Sequence, residues 1–519
     1  MKVVSIFNHV LGPVMRGPSS SHTAGAFHLS QMALSLLDAR PARAVFSFDS
    51  AGSYAATYAP QGADRAFAMG LMDRPLTDEC FFDALAIAAD EGLKIEFRVT
   101  DLDGADHPNT VDIELYDADG AVLKLRGRSI GGGSVEIIDV EGWDLRITGK
   151  SHDVLVEVDA GHEAAAAMAL DDDLISELQV IPREDRLLLY AQRRSELPGD
   201  ECDRLAAIPG VESVRRVRPV YFVHTGAPLF ASAAEAVALA EESGKSLGRL
   251  GLEYEAALLG MTEDQVLDEM VRRYGIMVRS AEQGLAPSPP PMQFLTPSAG
   301  AIFAADAEGR LPGGGIHLRS AARAMAIMHI NGAMGVVCAA PTGGAAGTLP
   351  GVIVTCAEEK GLDAKAAAMA LLAAGVIGVI VDTRATFAAE IAGCQVEIGA
   401  AGAMAAAAVV DIAGGTVAQA MNAAAISFQN TMGSVCDLVQ GTVEIPCHTR
   451  NAAAAAGAFV CADLVLGGYS NPIDLDETID AVYASGKMLP CELRCTSLGG
   501  LAVTPSALAM KRIDRETSG

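Results

Sequence analysis

The sequence has few of the features that mark nucleic-acid-binding, secreted or membrane-spanning proteins. Positive charge is scarce, since 38 Lys and Arg stand against 65 Asp and Glu, and nucleic-acid phosphates require basic side chains. The short apolar run at the amino terminus leads into Gly-Pro without a small-residue cleavage site, so we expect no secretion signal. The longest uncharged apolar run, 366–381, falls short of the ~18 residues of a membrane span. We therefore expect a cytoplasmic protein that binds neither nucleic acid nor membrane.

The ten cysteines include no pair with the CxxC spacing of common zinc and redox motifs. Eight of the ten lie after residue 337, and without a secretion signal they are not expected to form disulfides. Their concentration in one half of the chain suggests metal or redox chemistry. Free cysteine is also a common small core residue, so spacing alone leaves both interpretations open.

The pattern of the chain predicts a multidomain α+β protein. Residues 1–150 mix alternating strands with helical segments and predict a mixed α/β domain. Residues 151–228 follow the strand–helix–strand–strand–helix–strand order of a split βαβ unit. Residues 229–292 form a helical connector that ends in a Pro-rich linker. Residues 293–519 contain Ala-rich helical runs that are apolar on all sides, which predicts an all-α domain.

The segment RGPSSSHTAGA (16–26) concentrates small polar groups at the start of a predicted helix. A helix start offers free backbone N–H groups, and serine and threonine hydroxyls beside it suit a carboxylate or a phosphate. A helix cap alone would need only one of these side chains. The segment therefore predicts either an anion or substrate site or an elaborate N-cap.

A second candidate site combines cysteines from separate segments. Cys394 lies in AGCQVEIGAAGAMA, and Cys436 and Cys447 lie in SVCDLVQGTVEIPCHTRNA. Three such thiolates can hold three irons of a [4Fe–4S] cluster, and the fourth iron can then act as a Lewis acid. Core cysteine in an Ala-rich bundle is the alternative. Arg450, which follows, can pair with a substrate carboxylate or only cap its own helix.

These segments resemble the iron–sulfur L-serine dehydratases, also called L-serine ammonia-lyases. The matching stretches, in the order of the family, are GPSSSHTAGA, GSYAATY, HPNT, SIGGGSVEI, NGAMGVVCAAPTGGAAGTLPG, AGCQVEIGAAGAMAAAA, CDLVQGTVEIPCHTRNA and SLGGLAVTP. The resemblance covers almost the whole chain. It implies that the beta and alpha parts of the family are fused here, with 1–150 as the beta-type domain, 151–228 as an ACT-like domain and 293–519 as the iron–sulfur catalytic domain.

The resemblance implies a β-elimination that converts L-serine to pyruvate and ammonia without pyridoxal phosphate. Cys394, Cys436 and Cys447 would hold a [4Fe–4S] cluster whose open iron activates the substrate hydroxyl. His22 and His107 are the expected catalytic residues. The expected substrate-binding residues are Ser19, Ser20, Ser21, Thr23, Asn109, Thr342 and Arg450. We expect a small amino-acid or hydroxy-acid substrate and a homodimer.

The chain departs from the family pattern where PQGAD (60–64) replaces GHGTD, and where Leu-Thr-Pro-Ser (295–298) replaces an LTGG-type turn. Gln61 cannot act as a base near neutral pH, and proline removes a donor and fixes φ. The general base and the exact substrate therefore stay open. The alternatives are L-threonine, L-cysteine or a 3-hydroxy acid as substrate, or a non-catalytic ligand-sensing homologue. Cys491 and Cys495 could supply a fourth cluster ligand or be structural.

Overall fold

The computed structural model describes residues 2–170 and 173–512, except the side chain of Ala56. The chain forms two compact units, one made of Met1–Ser20 and Gly226–Gly519 and the other of Ser21–Thr225. The first is called the helical unit below and the second the sheet unit. The amino-terminal 20 residues therefore belong to the helical unit, although the sequence pattern grouped them with residues up to 150.

The strands are β1 (Val14–Arg16), β2 (Arg43–Asp49), β3 (Lys94–Thr100), β4 (Thr110–Tyr116), β5 (Val122–Gly131), β6 (Ser134–Val140), β7 (Trp143–Ile147), β8 (His152–Asp159), β9 (Ile175–Arg183), β10 (Arg186–Arg193), β11 (Val211–Val217) and β12 (Val336–Cys338). The helices are α1 (Thr23–Leu37), α2 (Ser53–Thr57), α3 (Ala63–Leu71), α4 (Ala84–Asp90), α5 (Glu163–Leu170), α6 (Gly199–Ala206), α7 (Ala233–Ser243), α8 (Leu247–Leu259), α9 (Glu263–Leu285), α10 (Ala299–Ala307), α11 (Ile316–Gly332), α12 (Thr348–Lys360), α13 (Ala364–Arg384), α14 (Ala389–Ala392), α15 (Ile398–Ile412), α16 (Val417–Thr431), α17 (Cys447–Leu466), α18 (Leu475–Lys487) and α19 (Pro505–Ala509). A π-helical turn covers Ile6–Val10, and 3₁₀ turns cover Glu79–Asp83, Gly343–Ala345, Cys394–Val396, Val439–Gly441, Cys491–Leu493 and Gly500–Val503.

The sheet unit contains two sheets. The first has six strands in the order β3-β2-β4-β5-β6-β7, and only its β2–β3 pair is parallel. The second has four antiparallel strands in the order β11-β8-β10-β9 and carries α5 and α6. In β7 every second residue is buried, as expected for a strand with one face on the core. The chain order β8-α5-β9-β10-α6-β11 agrees with the split βαβ order predicted for 151–228.

The helical unit is built around α13, which packs against α8, α9, α15 and the Ile6–Val10 turn. Glycines on α13 permit this close approach. A Cβ added at Gly378 would lie 2.0 Å from Val10 Cγ1, and one at Gly375 would lie 2.8 Å from Ile6 Cγ2. The Ala- and Gly-rich composition thus lets helices and the amino-terminal turn pack at short distance, because small side chains leave room for neighbouring chain segments.

Two features refine the prediction for residues 293–519. The helical interpretation is confirmed, but an all-α domain is not quite correct, because β12 pairs antiparallel with β1. Among the described residues, two helical segments are long and apolar enough for a membrane span, at 364–384 and 394–412. In the apolar window of each, 78% and 83% of the residues are buried inside the protein, which is the behaviour of core helices.

Candidate active site

The three predicted cluster cysteines come together from separate elements of the helical unit. Cys394 opens the 3₁₀ turn after α14, Cys436 lies in the loop that follows α16, and Cys447 is the first residue of α17. All three are buried. The thiols of Cys394 and Cys436 are hydrogen-bonded to each other, and the Cys447 thiol is near enough to Cys394 to interact electrostatically. The fold therefore gathers thiols that are widely spaced in the sequence.

Each of these thiols is held in its neutral form. The pKa of Cys394 is raised well above its ordinary value by its hydrogen bond with Cys436 and by burial. For Cys436 the hydrogen bond with Cys394 lowers the pKa, but a hydrogen bond with Cys495 and burial outweigh it. Burial raises the pKa of Cys447. Loading with metal would have to displace these protons, because thiolates are the metal-binding form.

Cys495 is a fourth thiol at this place. Its backbone N–H donates to Cys436 O at 2.9 Å, and the Cys436 N–H donates to Leu493 O at 2.9 Å. Its thiol is hydrogen-bonded to that of Cys436, and its backbone has the left-handed φ of 66° that few side chains adopt. Cys491, by contrast, is exposed. The sequence did not distinguish Cys491 from Cys495, because both lie in the same short segment, PCELRCTS.

Arg450 lies on the first turns of α17 and contacts the cysteine segments. Its Nη1 donates to Val435 O at 2.8 Å, lies 3.8 Å from Cys394 Sγ and 3.0 Å from Asp437 Oδ1. Asp437 Oδ2 in turn accepts a hydrogen bond from Leu501 N at 2.8 Å. The guanidinium thus places a positive charge beside the thiols. Its predicted contact with a substrate carboxylate stays a prediction.

Asn451 connects the Cys447 helix with the loop that contains Thr342. Its Oδ1 accepts from Thr348 N at 3.0 Å and from Thr348 Oγ1 at 2.8 Å. Its Nδ2 donates to Gly344 O at 2.8 Å and to Cys447 O at 2.9 Å. Asn451 was not among the predicted site residues. Its signal was a single amide at the head of the apolar run NAAAAAGAF, where a buried polar group must find partners.

Thr342 and Glu397 form a second connection across the site. The Thr342 hydroxyl accepts from Ala345 N at 3.2 Å and donates to Glu397 Oε1. A Cβ added at Gly344 would lie only 2.7 Å from the same oxygen, so the carboxyl rests directly on this loop. Burial raises the pKa of Glu397 to about 7. Glu397 was also missed, although it is the only acidic residue in the stretch 394–410.

The serine segment is divided between the two units. In the helical unit, Asn331 Nδ2 donates to Pro18 O at 3.1 Å, and a Cβ at Gly343 would lie 3.2 Å from Ser20 N. Ser19 and Ser20 therefore belong to the segment packed beside the Thr342 loop. Ser21 and Thr23 belong to the sheet unit. The predicted cap is wrong in detail, because α1 has His22 at its N-cap position and no side-chain cap hydrogen bond.

His22 and Gln61 both contact Thr57 in the sheet unit. His22 Nε2 lies 2.8 Å from Thr57 Oγ1, and the Gln61 N–H donates to Thr57 O at 2.9 Å. Burial lowers the pKa of His22 to about 4, so its imidazole is neutral at pH 7. Gln61, which departs from the family pattern, and His22, a candidate catalytic residue, are therefore both neighbours of Thr57.

His107 and Asn109 also lie close together in the sheet unit. Asn109 N donates to His107 Nδ1 at 3.1 Å, and Asn109 Nδ2 donates to Ser129 O at 3.4 Å. Burial is the main cause that lowers the pKa of His107. Its Nδ1 accepts a hydrogen bond, which fixes the neutral tautomer with the proton on Nε2.

Comparison with known proteins identifies similar sequences along most of the chain. Residues 229–502 match the family model described as serine dehydratase alpha chain. The "Probable L-serine dehydratase, alpha chain" of Bacillus subtilis is 33% identical over 284 residues, which are 55% of this chain and 95% of the relative. The "Probable L-serine dehydratase, beta chain" of the same organism is 46% identical over 156 residues, 30% of this chain and 69% of the relative. "L-serine dehydratase TdcG" of Escherichia coli is 39% identical over 182 residues, 35% of this chain and 40% of the relative.

Proposed function

Because this chain belongs to the serine dehydratase family, with alpha-type and beta-type parts in one polypeptide, we propose that it eliminates water from L-serine and releases pyruvate and ammonia. The observation that carries the proposal is the gathering of Cys394, Cys436 and Cys447 in one buried place from three segments. An iron–sulfur cluster requires such a set of thiolates.

The thiols suit a cluster better than a single ion. Within 2–170 and 173–512, no group of three or more His, Cys, Asp and Glu side chains is arranged to hold one metal ion. A [4Fe–4S] cluster binds each thiolate through a different iron, so its ligands need not converge on one point. Cys394, Cys436 and Cys447 would hold it, and Arg450 would offset part of its negative charge. When bound, the cluster would supply a Lewis-acidic iron for the substrate hydroxyl, and no pyridoxal phosphate is needed.

The chain's own residues would bind the substrate and move its protons. Elimination removes a proton from Cα and hydroxide from Cβ, and the enamine that remains tautomerises and hydrolyses to the keto acid and ammonia. His22 and His107 are neutral at pH 7 and can accept a proton. Arg450 would pair with the substrate carboxylate. The remaining proposed substrate contacts are Ser19, Ser20, Ser21, Thr23, Asn109 and Thr342.

We also propose a role for each segment of the chain. Residues 1–150 would act as the beta-type domain and 293–519 as the catalytic domain, joined by the helical connector 229–292. Residues 151–228 would be an ACT-like domain, and the strand order β11-β8-β10-β9 supports this. The enzyme would be a cytoplasmic homodimer that acts on a small amino acid.

Gln61 supports one alternative. The buried Gln61, whose backbone N–H donates to Thr57 O, replaces a histidine of the family pattern, and its side-chain amide cannot take a proton near neutral pH. If another group does not replace it, the same cluster chemistry would act on a different small acid, such as L-threonine, L-cysteine or a 3-hydroxy acid.

The deciding experiment is anaerobic reconstitution with iron and sulfide, followed by assay of ammonia and 2-keto acid from a panel of these substrates. We expect turnover of L-serine and an iron–sulfur absorption band. Cys436→Ser should lose iron and turnover together, whereas Cys461→Ser should keep both, because Cys461 is a buried cysteine whose thiol contacts Asn430, at 3.8 Å, and Ser427. Protein that binds no iron, or a Cys436→Ser variant that keeps turnover, would refute the proposal.

A further inference from the structure

Glu397 is a carboxyl at the thiol site that lacks a cationic partner. Its one side-chain hydrogen bond comes from the Thr342 hydroxyl, and no Lys, Arg or His pairs with it in the part of the chain that the structure describes. The nearby Glu390 adds further negative charge, and burial raises the pKa of Glu397 to about 7. Glu397 is half-buried, and proteins rarely remove a charged group from water without a counter-charge, so a cation brought by a ligand would satisfy it.

The position of this carboxyl is fixed by the loop beneath it. Thr342 holds one oxygen, and both oxygens lie about 3 Å from the point where a Cβ of Gly344 would be, at 2.7 Å for Oε1 and 3.1 Å for Oε2. A side chain at position 344 would therefore displace the carboxyl. Gly344 O is in turn held by Asn451, one turn after Cys447. The carboxyl is therefore tied to the cysteine segments through a short chain of contacts.

The carboxyl is also close to the thiols themselves. It is near enough to Cys394, Cys436 and Cys447 to interact electrostatically with each. The Arg450 guanidinium, whose Nη1 lies 3.8 Å from Cys394 Sγ, contacts Val435 O and the Asp437 carboxylate instead. Asp437 therefore has the Arg450 guanidinium as its partner, whereas Glu397 has no cationic partner among the described residues, which matches the positive charge of an ammonium group.

We propose that Glu397 binds the α-ammonium group of the substrate and thereby selects amino acids over hydroxy acids. This inference rests on the proposed function and narrows its substrate class. An ammonium donates up to three hydrogen bonds and supplies the missing positive charge. A ligand with hydrogen or hydroxyl in place of the ammonium leaves the carboxylate unpaired, and sites built for a polar group discriminate strongly against analogues that lack it.

The test is calorimetric titration of the anaerobically reconstituted protein with L-alanine and with propanoate. Neither ligand has a leaving group on Cβ, and they differ only by the ammonium. We expect the wild-type protein to bind L-alanine at least tenfold more tightly, and Glu397→Gln to reduce this preference to less than threefold. Glu308→Gln is the matched control, because Glu308 is an exposed glutamate of the same unit. It should keep the full preference.

The amide of Glu397→Gln can still accept from Thr342, so the fold should be preserved, as circular dichroism would show. Gly344→Ala gives a second route, since its Cβ would displace the carboxyl, and should weaken the same preference. In turnover, Glu397→Gln should raise KM for L-serine about ten- to hundredfold, the loss of one charged hydrogen bond, with a smaller effect on kcat.

The two proposals can fail separately. Equal affinity of the wild-type protein for L-alanine and propanoate, or an unchanged preference in Glu397→Gln, would overturn the ammonium site even in an enzyme that turns over L-serine. A preference that depends on Glu397, in a protein that releases no pyruvate from L-serine, would support the ammonium site and refute the proposed reaction.

Discussion

Asn451→Ala should destabilise the helical unit by about 4 kcal/mol. The buried amide makes four hydrogen bonds, two to Thr348, one to Gly344 and one to Cys447. Each contributes roughly 1 kcal/mol net, and alanine leaves the buried partner groups unsatisfied. The expected loss is a large part of the ~5–15 kcal/mol that stabilises a typical folded protein.

The assay is urea unfolding of the cluster-free protein, followed by circular dichroism. With a slope of ~3 kcal/mol per M, the midpoint should fall by about 1 M. Asn451→Asp should lose at least as much, because its buried carboxylate would face the carbonyl oxygens of Gly344 and Cys447 without a proton to donate. Asn430→Ala is the control, since the Asn430 amide makes one long contact, 3.8 Å to Cys461 Sγ. An Asn451→Ala midpoint no lower than that of Asn430→Ala would refute the reasoning.

Two other predictions concern packing and pH. Gly378→Ala should lower the free energy of unfolding by about 1–3 kcal/mol, because its Cβ would collide with Val10. Gly457→Ala on α17, whose Cβ would have no atom within 4 Å, should instead raise the free energy of unfolding by up to ~1 kcal/mol through helix propensity. Urea midpoints that fall equally in the two variants would contradict this. Burial lowers the pKa of His28 to about 4. As the pH falls from about 6.5 towards 4, His28 therefore takes up a proton in the unfolded chain before it does so in the folded protein. The sheet unit should therefore lose stability across that window, by up to about 3 kcal/mol from this residue, and His28→Gln should flatten the dependence in thermal melts; an unchanged slope would argue against it.

The sequence predicted the elements better than the arrangement of the site. Strand and helix order over 151–228 follows from hydrophobic periodicity, and the Ala-rich runs after 293 are buried helices as expected. The family motifs pointed to the three cysteines, whose proximity the structure supports. The N-cap predicted for the serine segment is wrong, because local preference favours serine and threonine at a helix start, whereas His22 takes the N-cap position of α1.

Other features depend on contacts between residues that are far apart in the chain. Glu397 and Thr342 meet only because α15 and the loop before α12 pack together. Cys495 lies next to Cys436 because their backbones pair, and no local sequence pattern predicts this pairing. The strand β1 is three residues long, too short for its alternation to stand out, and its partner β12 is encoded more than 300 residues later.

The pairing of β1 with β12 makes the helical unit a discontinuous domain into which the sheet unit is inserted. During synthesis the amino-terminal segment can pack in its final position only after most of the polypeptide has been translated. There, Ser5 Oγ and the Ile6 and Phe7 N–H groups all donate to the buried Glu255 carboxylate, at 2.5, 2.8 and 2.9 Å. A protease cut after Thr225 would therefore yield two fragments that remain associated through the first 20 residues. Expression of 226–519 alone would deprive Glu255 of all three donors, so dissection at this apparent boundary should give an unstable fragment that the missing peptide could complement.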